Sequence, residues 1–118
     1  MSGKLTTHVL DISTGKPAKD VVIELWKVKE VNQLEKIVES KTNIDGRVDH
    51  PLLKENEMKK GTYQLQFHVG NYYLTSDQKQ DTSFFDIVPI QFVISEEGEH
   101  YHVPLLIAPG GYSTYRGS

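Results

Sequence analysis

Cysteine is absent from the 118 residues. That excludes a disulfide framework, a thiolate nucleophile, iron–sulfur clusters and cysteine-type zinc sites, and it fits a reducing compartment. No apolar run approaches the roughly 18 residues of a membrane span. The opening segment, Met1 to His8, has no apolar signal-peptide region. The ending Tyr115-Arg116-Gly117-Ser118 is not a peroxisomal Ser-Lys-Leu tail. A cytoplasmic protein is the expectation. Long basic runs are also missing; the largest are pairs such as Lys59-Lys60, and the net charge is -3. Neither nucleic acid nor an anionic membrane is an electrostatic match for such a chain. There is no Gly-x-Ser-x-Gly elbow and no glycine-rich phosphate loop.

What remains is an ordinary globular composition. Apolar residues are 37%, and the nine glycines bring the total close to the ~45–50% of soluble chains. The length allows one domain, residues 1–118. A chain this small buries only about two-thirds of its unfolded surface, so association would help stabilise it.

Short β-prone runs separated by turn clusters predict an all-β sandwich of seven to eight strands. The clearest runs from Tyr63 to Val69, with Tyr63, Leu65, Phe67 and Val69 on one face and Gln64, Gln66 and His68 on the other. Val88 to Ile94 and His100 to Ala108 alternate in the same way. Leu5 to Asp11 opens the chain and Tyr112 to Arg116 closes it. Val21 to Val28 is apolar on both faces and reads as a covered strand with Trp26 in the core. Leu34 to Thr42 is more polar. Asn43-Ile44-Asp45-Gly46 carries a hairpin signal, and Asp11 reads as a turn cap. One short helix is expected around Asn71 to Lys79.

Five histidines are the candidates for proton transfer near neutrality: His8, His50, His68, His100 and His102. His100 and His102 lie two apart on one predicted strand and so share a face. Tyr101, Val103, Leu105 and Ile107 take the interior, which turns both histidines outward beside Pro104, Leu106 and Ala108. An outer face with leucine and alanine next to histidine points to a covered surface, a subunit interface. His8 sits in a similar setting on the first strand. The plain alternative is that each is a hydrogen-bonded strand histidine. A zinc site built from His8, His100 and His102 is a further alternative, because zinc uses His-x-His spacing on strands.

Arg47 follows Asp45-Gly46. It reads either as a solvated arginine after a turn or as a fixed guanidinium that clamps an anionic or carbonyl-rich ligand. Arg116 carries the same two readings. The tail from Tyr112 to Arg116 follows Pro109-Gly110-Gly111 and should pair back on the His100–Ala108 strand. That pairing would carry the last residues toward His102.

His8-Val9-Leu10-Asp11 with Gly15-Lys16-Pro17-Ala18 resembles the opening motif of the transthyretin-like proteins. Tyr101-His102-Val103-Pro104-Leu105-Leu106 with Tyr112 to Ser118 resembles the closing motif. The terminal Tyr-Arg-Gly-Ser is similar to the tetrapeptide of the family's 5-hydroxyisourate hydrolase branch. The hormone-carrying branch lacks it and has lysine at the position of His8. The resemblance covers essentially the whole chain.

It implies a two-sheet antiparallel sandwich, a homotetramer, and active sites in clefts where subunits meet. It also implies hydrolysis of 5-hydroxyisourate as the small-molecule substrate, with no cofactor and no metal. The site residues it carries over are His8, Arg47, His102 and Tyr115-Arg116-Gly117-Ser118. On this resemblance His8 or His102 would be the general base, with their roles exchangeable. Arg47 would hold the ring and the developing oxyanion, while Tyr115 and Arg116 would line the pocket. Ser118 would fix a histidine tautomer through its hydroxyl or a terminal carboxylate. A non-catalytic carrier and a structural interaction module are the rival classes.

Overall fold

The computed structural model describes residues 3–75 and 83–118. Two sheets face each other. The first contains β1 (Lys4–Asp11), β2 (Lys16–Pro17), β5 (Leu53–Lys54), β8 (Tyr101–Ala108) and β9 (Gly111–Thr114), and its main path runs β2-β1-β8-β9 with β5 also on β1. The second runs β4-β3-β6-β7, from β3 (Val22–Glu30), β4 (Gln33–Lys41), β6 (Gly61–His68) and β7 (Ile87–Ile94). One short helix, α1 (Val69–Thr75), follows β6 directly.

The alternation in the sequence builds the core. Leu5 and Val9 of β1, Val103, Leu105 and Ile107 of β8, Ile23 and Leu25 of β3, and Leu65 and Phe67 of β6 are all buried between the sheets. Each such side chain contributes about 1.5–3 kcal/mol by leaving water. The sandwich expectation holds, with four departures. First, β2 and β5 are two-residue strands too short for any periodicity to reveal. Second, β1 and β8 pair in parallel, Leu5 against Tyr101 through Asp11 against Ile107. A parallel pair needs a long crossover, and here the chain visits the other sheet between the two strands.

Third, Trp26 is half-buried on the outward side of β3, where its indole N–H donates to Glu24 Oε1 at 3.0 Å. The strand is apolar on both faces by composition, but only one face meets the other sheet. Fourth, Asn43 to Gly46 is no hairpin: it carries the chain from β4 in one sheet onto the edge of β1 in the other. The helix also begins earlier than expected, at Val69, and residues 76–79 of the expected span lie outside the described residues.

Asp11 does more than cap a turn. It is 0% exposed. Its carboxylate accepts from the Ser13 N–H at 3.0 Å and the Ser13 hydroxyl at 2.5 Å. Tyr72 and Tyr73 of α1 donate their hydroxyls to it at 2.9 Å each. Burial, and then the bond to Asp11, raise both phenols above the ordinary tyrosine range. The end of β1 is thereby tied to a helix some sixty residues away.

Candidate functional site

His8 and His102 lie on neighbouring strands. The register sets Thr6 against His102 and His8 against Pro104, so the histidines are diagonal neighbours. Strand geometry separates their Cα atoms by about 8 Å. Leu5, Thr7 and Val9 take the inner side of β1, and Tyr101, Val103 and Leu105 take that of β8. His8 and His102 therefore both face outward. Leu10, Leu106 and Ala108, all half-buried, continue this face.

Arg47 arrives from the other sheet. Its loop is shaped by Asn43, whose Oδ1 accepts from the N–H groups of Asp45 at 2.9 Å and Arg47 at 3.2 Å. The Asn43 N–H donates to the Arg47 carbonyl at 2.7 Å. Gly46 then docks on β1, its carbonyl accepting from the Val9 N–H at 2.8 Å. Gly46 has φ of 76°, and a Cβ there would collide with the Val9 carbonyl and stand 3.3 Å from the His8 ring. Only glycine fits so close a left-handed turn. The docking pairs Arg47 with His8 in an isolated bridge.

The tail completes the cluster. β9 pairs with β8 as the sequence predicts, and beyond it Gly117 bridges to His102, its N–H donating to the His102 carbonyl at 2.7 Å. Ser118 follows, exposed. Tyr115 is 60% exposed, and the register that pairs Leu105 with Thr114 and His102 with Gly117 puts it across from Pro104.

Arg116 goes elsewhere. Its Nη2 donates to Glu99 Oε1 and to the His100 carbonyl, both at 3.1 Å, and its guanidinium lies 4.3 Å above the Tyr101 ring. With Phe92, Val103 and Tyr115 it lines a separate cleft of about 270 Å³. His100 is exposed ahead of β8 and does not join His8 and His102. Among the described residues, no three His, Asp or Glu side chains are placed to hold a metal ion.

The two imidazoles are held differently. His8 Nε2 is 2.9 Å from the Asp45 carbonyl. A carbonyl only accepts, so Nε2 carries the proton and the neutral ring keeps its lone pair on Nδ1. His102 is held through the opposite nitrogen: Nδ1 is 2.8 Å from the Thr6 hydroxyl. Burial and then the Arg47 charge lower the pKa of His8 below the usual 6.5, against an upward pull from Asp45. Burial, Arg47 and His8 lower that of His102, against an upward pull from Thr6. Both rings are therefore neutral at pH 7, and Arg47 acts on both.

Thr6, Asn43, Asp45 and Gly46 are contributors to the site that the sequence alone does not single out, whereas Gly117 belongs to the terminal tetrapeptide already named. Alternation alone puts Thr6 on the face of His8. Nothing in the sequence places Asn43 to Gly46 against β1.

The chain matches the model of the HIUase/Transthyretin family over residues 5–117. It is 55% identical to the 5-hydroxyisourate hydrolase of Halalkalibacterium halodurans, with all of both chains covered. Among solved structures, 5-hydroxyisourate hydrolase of Klebsiella pneumoniae superposes with a TM-score of 0.82 at 38% identity, covering 98% of this chain and 99% of that one. Sea bream transthyretin in complex with thyroxine superposes at 0.87 with 25% identity, covering 97% of this chain and 94% of that one.

Proposed function

The chain belongs to the HIUase/Transthyretin family, and from that premise we propose that it hydrolyses 5-hydroxyisourate to 2-oxo-4-hydroxy-4-carboxy-5-ureidoimidazoline, with His8, Arg47 and His102 at the reacting centre. The observation that carries the site is the opposed anchoring of two neutral imidazoles beside one guanidinium.

His102 is the general base: its outward-facing ring, neutral at pH 7 and near Arg47, takes a proton from water. The water oxygen attacks C6 of the ring, and Arg47 stabilises the negative charge that develops on the carbonyl oxygen. The N1–C6 bond then breaks as the His102 imidazolium returns the proton it took from water to N1, which restores the neutral ring. His8, already a donor to Asp45 through Nε2, orients the substrate through its remaining nitrogen. Gly117 and Ser118 close the His102 end of the site, and Tyr115 stands at its margin. Arg116 serves by anchoring the tail to Glu99 and Tyr101 rather than by touching substrate.

The open sheet face bearing the pair, with Leu10, Leu106 and Ala108 beside it, is covered by another copy of the chain in a homotetramer, so that the site becomes a cleft. Among the described residues no helix is long and apolar enough to cross a membrane, and a cysteine-free chain suits the cytoplasm.

The deciding experiment follows the absorbance of freshly generated 5-hydroxyisourate. Decay faster than a protein-free control is expected. A carrier of the transthyretin kind, whose fold this chain shares, would bind a ligand and leave that decay unchanged.

A further inference from the structure

We propose that Thr6 is the positioning residue for His102: its hydroxyl, 2.8 Å from Nδ1, accepts that nitrogen's proton and leaves the Nε2 lone pair free toward the open face. The inference deepens the reading of His102 as general base and rests on it.

Three features support it. Thr6 stands directly opposite His102 in the parallel register, so the contact is set by two packed strands and not by a mobile loop. The other flank of the ring is occupied by Gly117, where a Cβ would stand 2.5 Å from Cδ2 and 3.2 Å from Cγ. With Thr6 at Nδ1 and Gly117 against Cδ2, the ring has little room to flip. Third, the neighbouring Thr7 is already committed, its hydroxyl donating to the Val103 carbonyl at 2.7 Å on the buried side. Thr6 is the hydroxyl left on the outward face of this stretch of β1.

The bond a histidine makes at one nitrogen sets the protonation of the other. A threonine hydroxyl can accept from N–H and still donate its own proton elsewhere. With Nδ1–H directed to Thr6, Nε2 is the basic nitrogen. In the reverse arrangement Nε2 would hold a proton and could not act as a base.

Two measurements test this. Nitrogen-15 spectra of imidazole-labelled protein at a pH where the ring is neutral report the His102 tautomer without substrate. The wild-type chain is expected to show Nδ1 protonated and Nε2 bare. Thr6→Val, which keeps the shape and removes the hydroxyl, should give a mixture, and Thr6→Ser should restore the single form. In turnover of 5-hydroxyisourate, Thr6→Val should lower kcat by up to about 100-fold, the lower range of what a general base contributes, with KM little changed. Thr6→Ser should recover most of the loss.

Nε2–H in the wild-type spectrum would overturn the proposal, as would a Thr6→Val variant with unchanged tautomer. The spectrum of the wild-type chain needs no variant to fold. Absence of turnover in the wild-type chain would instead sink the hydrolase reading, and the spectra would still report on Thr6.

Discussion

Gly117 and His102 are joined backbone to backbone: the glycine N–H donates to the histidine carbonyl at 2.7 Å, and the glycine packs close against the imidazole. A Cβ at position 117 would sit 2.5 Å from Cδ2, so either the ring or the tail must move. Gly117→Ala should lower kcat by about 10–100-fold, since a displacement near 1 Å at a reacting group has that scale of cost. Its thermal midpoint should change little, because the tail around it is exposed. Parallel turnover and melting measurements check both halves. A fully active variant would show that the contact does not position His102.

Replacing His102 with alanine should reduce turnover by at least about 100-fold, the lower range of general acid–base catalysis. His8→Ala should also lose activity, with the larger rise falling on KM if His8 orients the substrate. Full kinetic curves for the two variants separate these outcomes. Wild-type turnover in the His102 variant would remove that residue from the proton path.

Acid should switch the reaction off, and late. The base works as neutral imidazole, and burial followed by the Arg47 and His8 charges depresses the His102 pKa. The acid limb of kcat/KM should therefore fall below pH 6.5. The same depression means that the unfolded chain binds more protons than the folded one as pH drops through the ordinary histidine range. Stability should decline along that limb as well. A pH–rate profile whose acid limb lies above 6.5 would contradict the role given to this group.

Asp11→Ala should destabilise the fold without touching the site. The substitution strips two buried tyrosine hydroxyls and the Ser13 turn of their common acceptor. Buried groups left unpaired cost about 1–3 kcal/mol each, so a loss on the order of 2–5 kcal/mol is expected in chemical denaturation. The raised phenols of Tyr72 and Tyr73 add a second signature. The unfolded chain ionises first as pH passes about 10, so folded-state stability should fall in that range, and less steeply after Asp11→Ala.

Much of this protein follows from local rules. Alternation in β1, β6 and β8 fixes which residues enter the core, and so turns His8 and His102 outward together. The Pro109-Gly110 turn folds β9 back along β8 and carries Gly117 to His102. These relations depend on strand period and a tight turn, both written in neighbouring residues.

The tertiary structure decided the rest. Arg47 meets His8 because a loop leaving one sheet docks on an edge of the other, and no periodicity in the intervening sequence encodes that crossing. Asp11 is buried because a helix far along the chain brings two hydroxyls to it. Arg116 leaves the histidine pair because Glu99 and the face of Tyr101 offer a better place for a guanidinium. Trp26 lies half-exposed because only one side of β3 faces the first sheet. Each outcome turns on which surfaces pack together, and packing is a property of the assembled sandwich that no single segment carries.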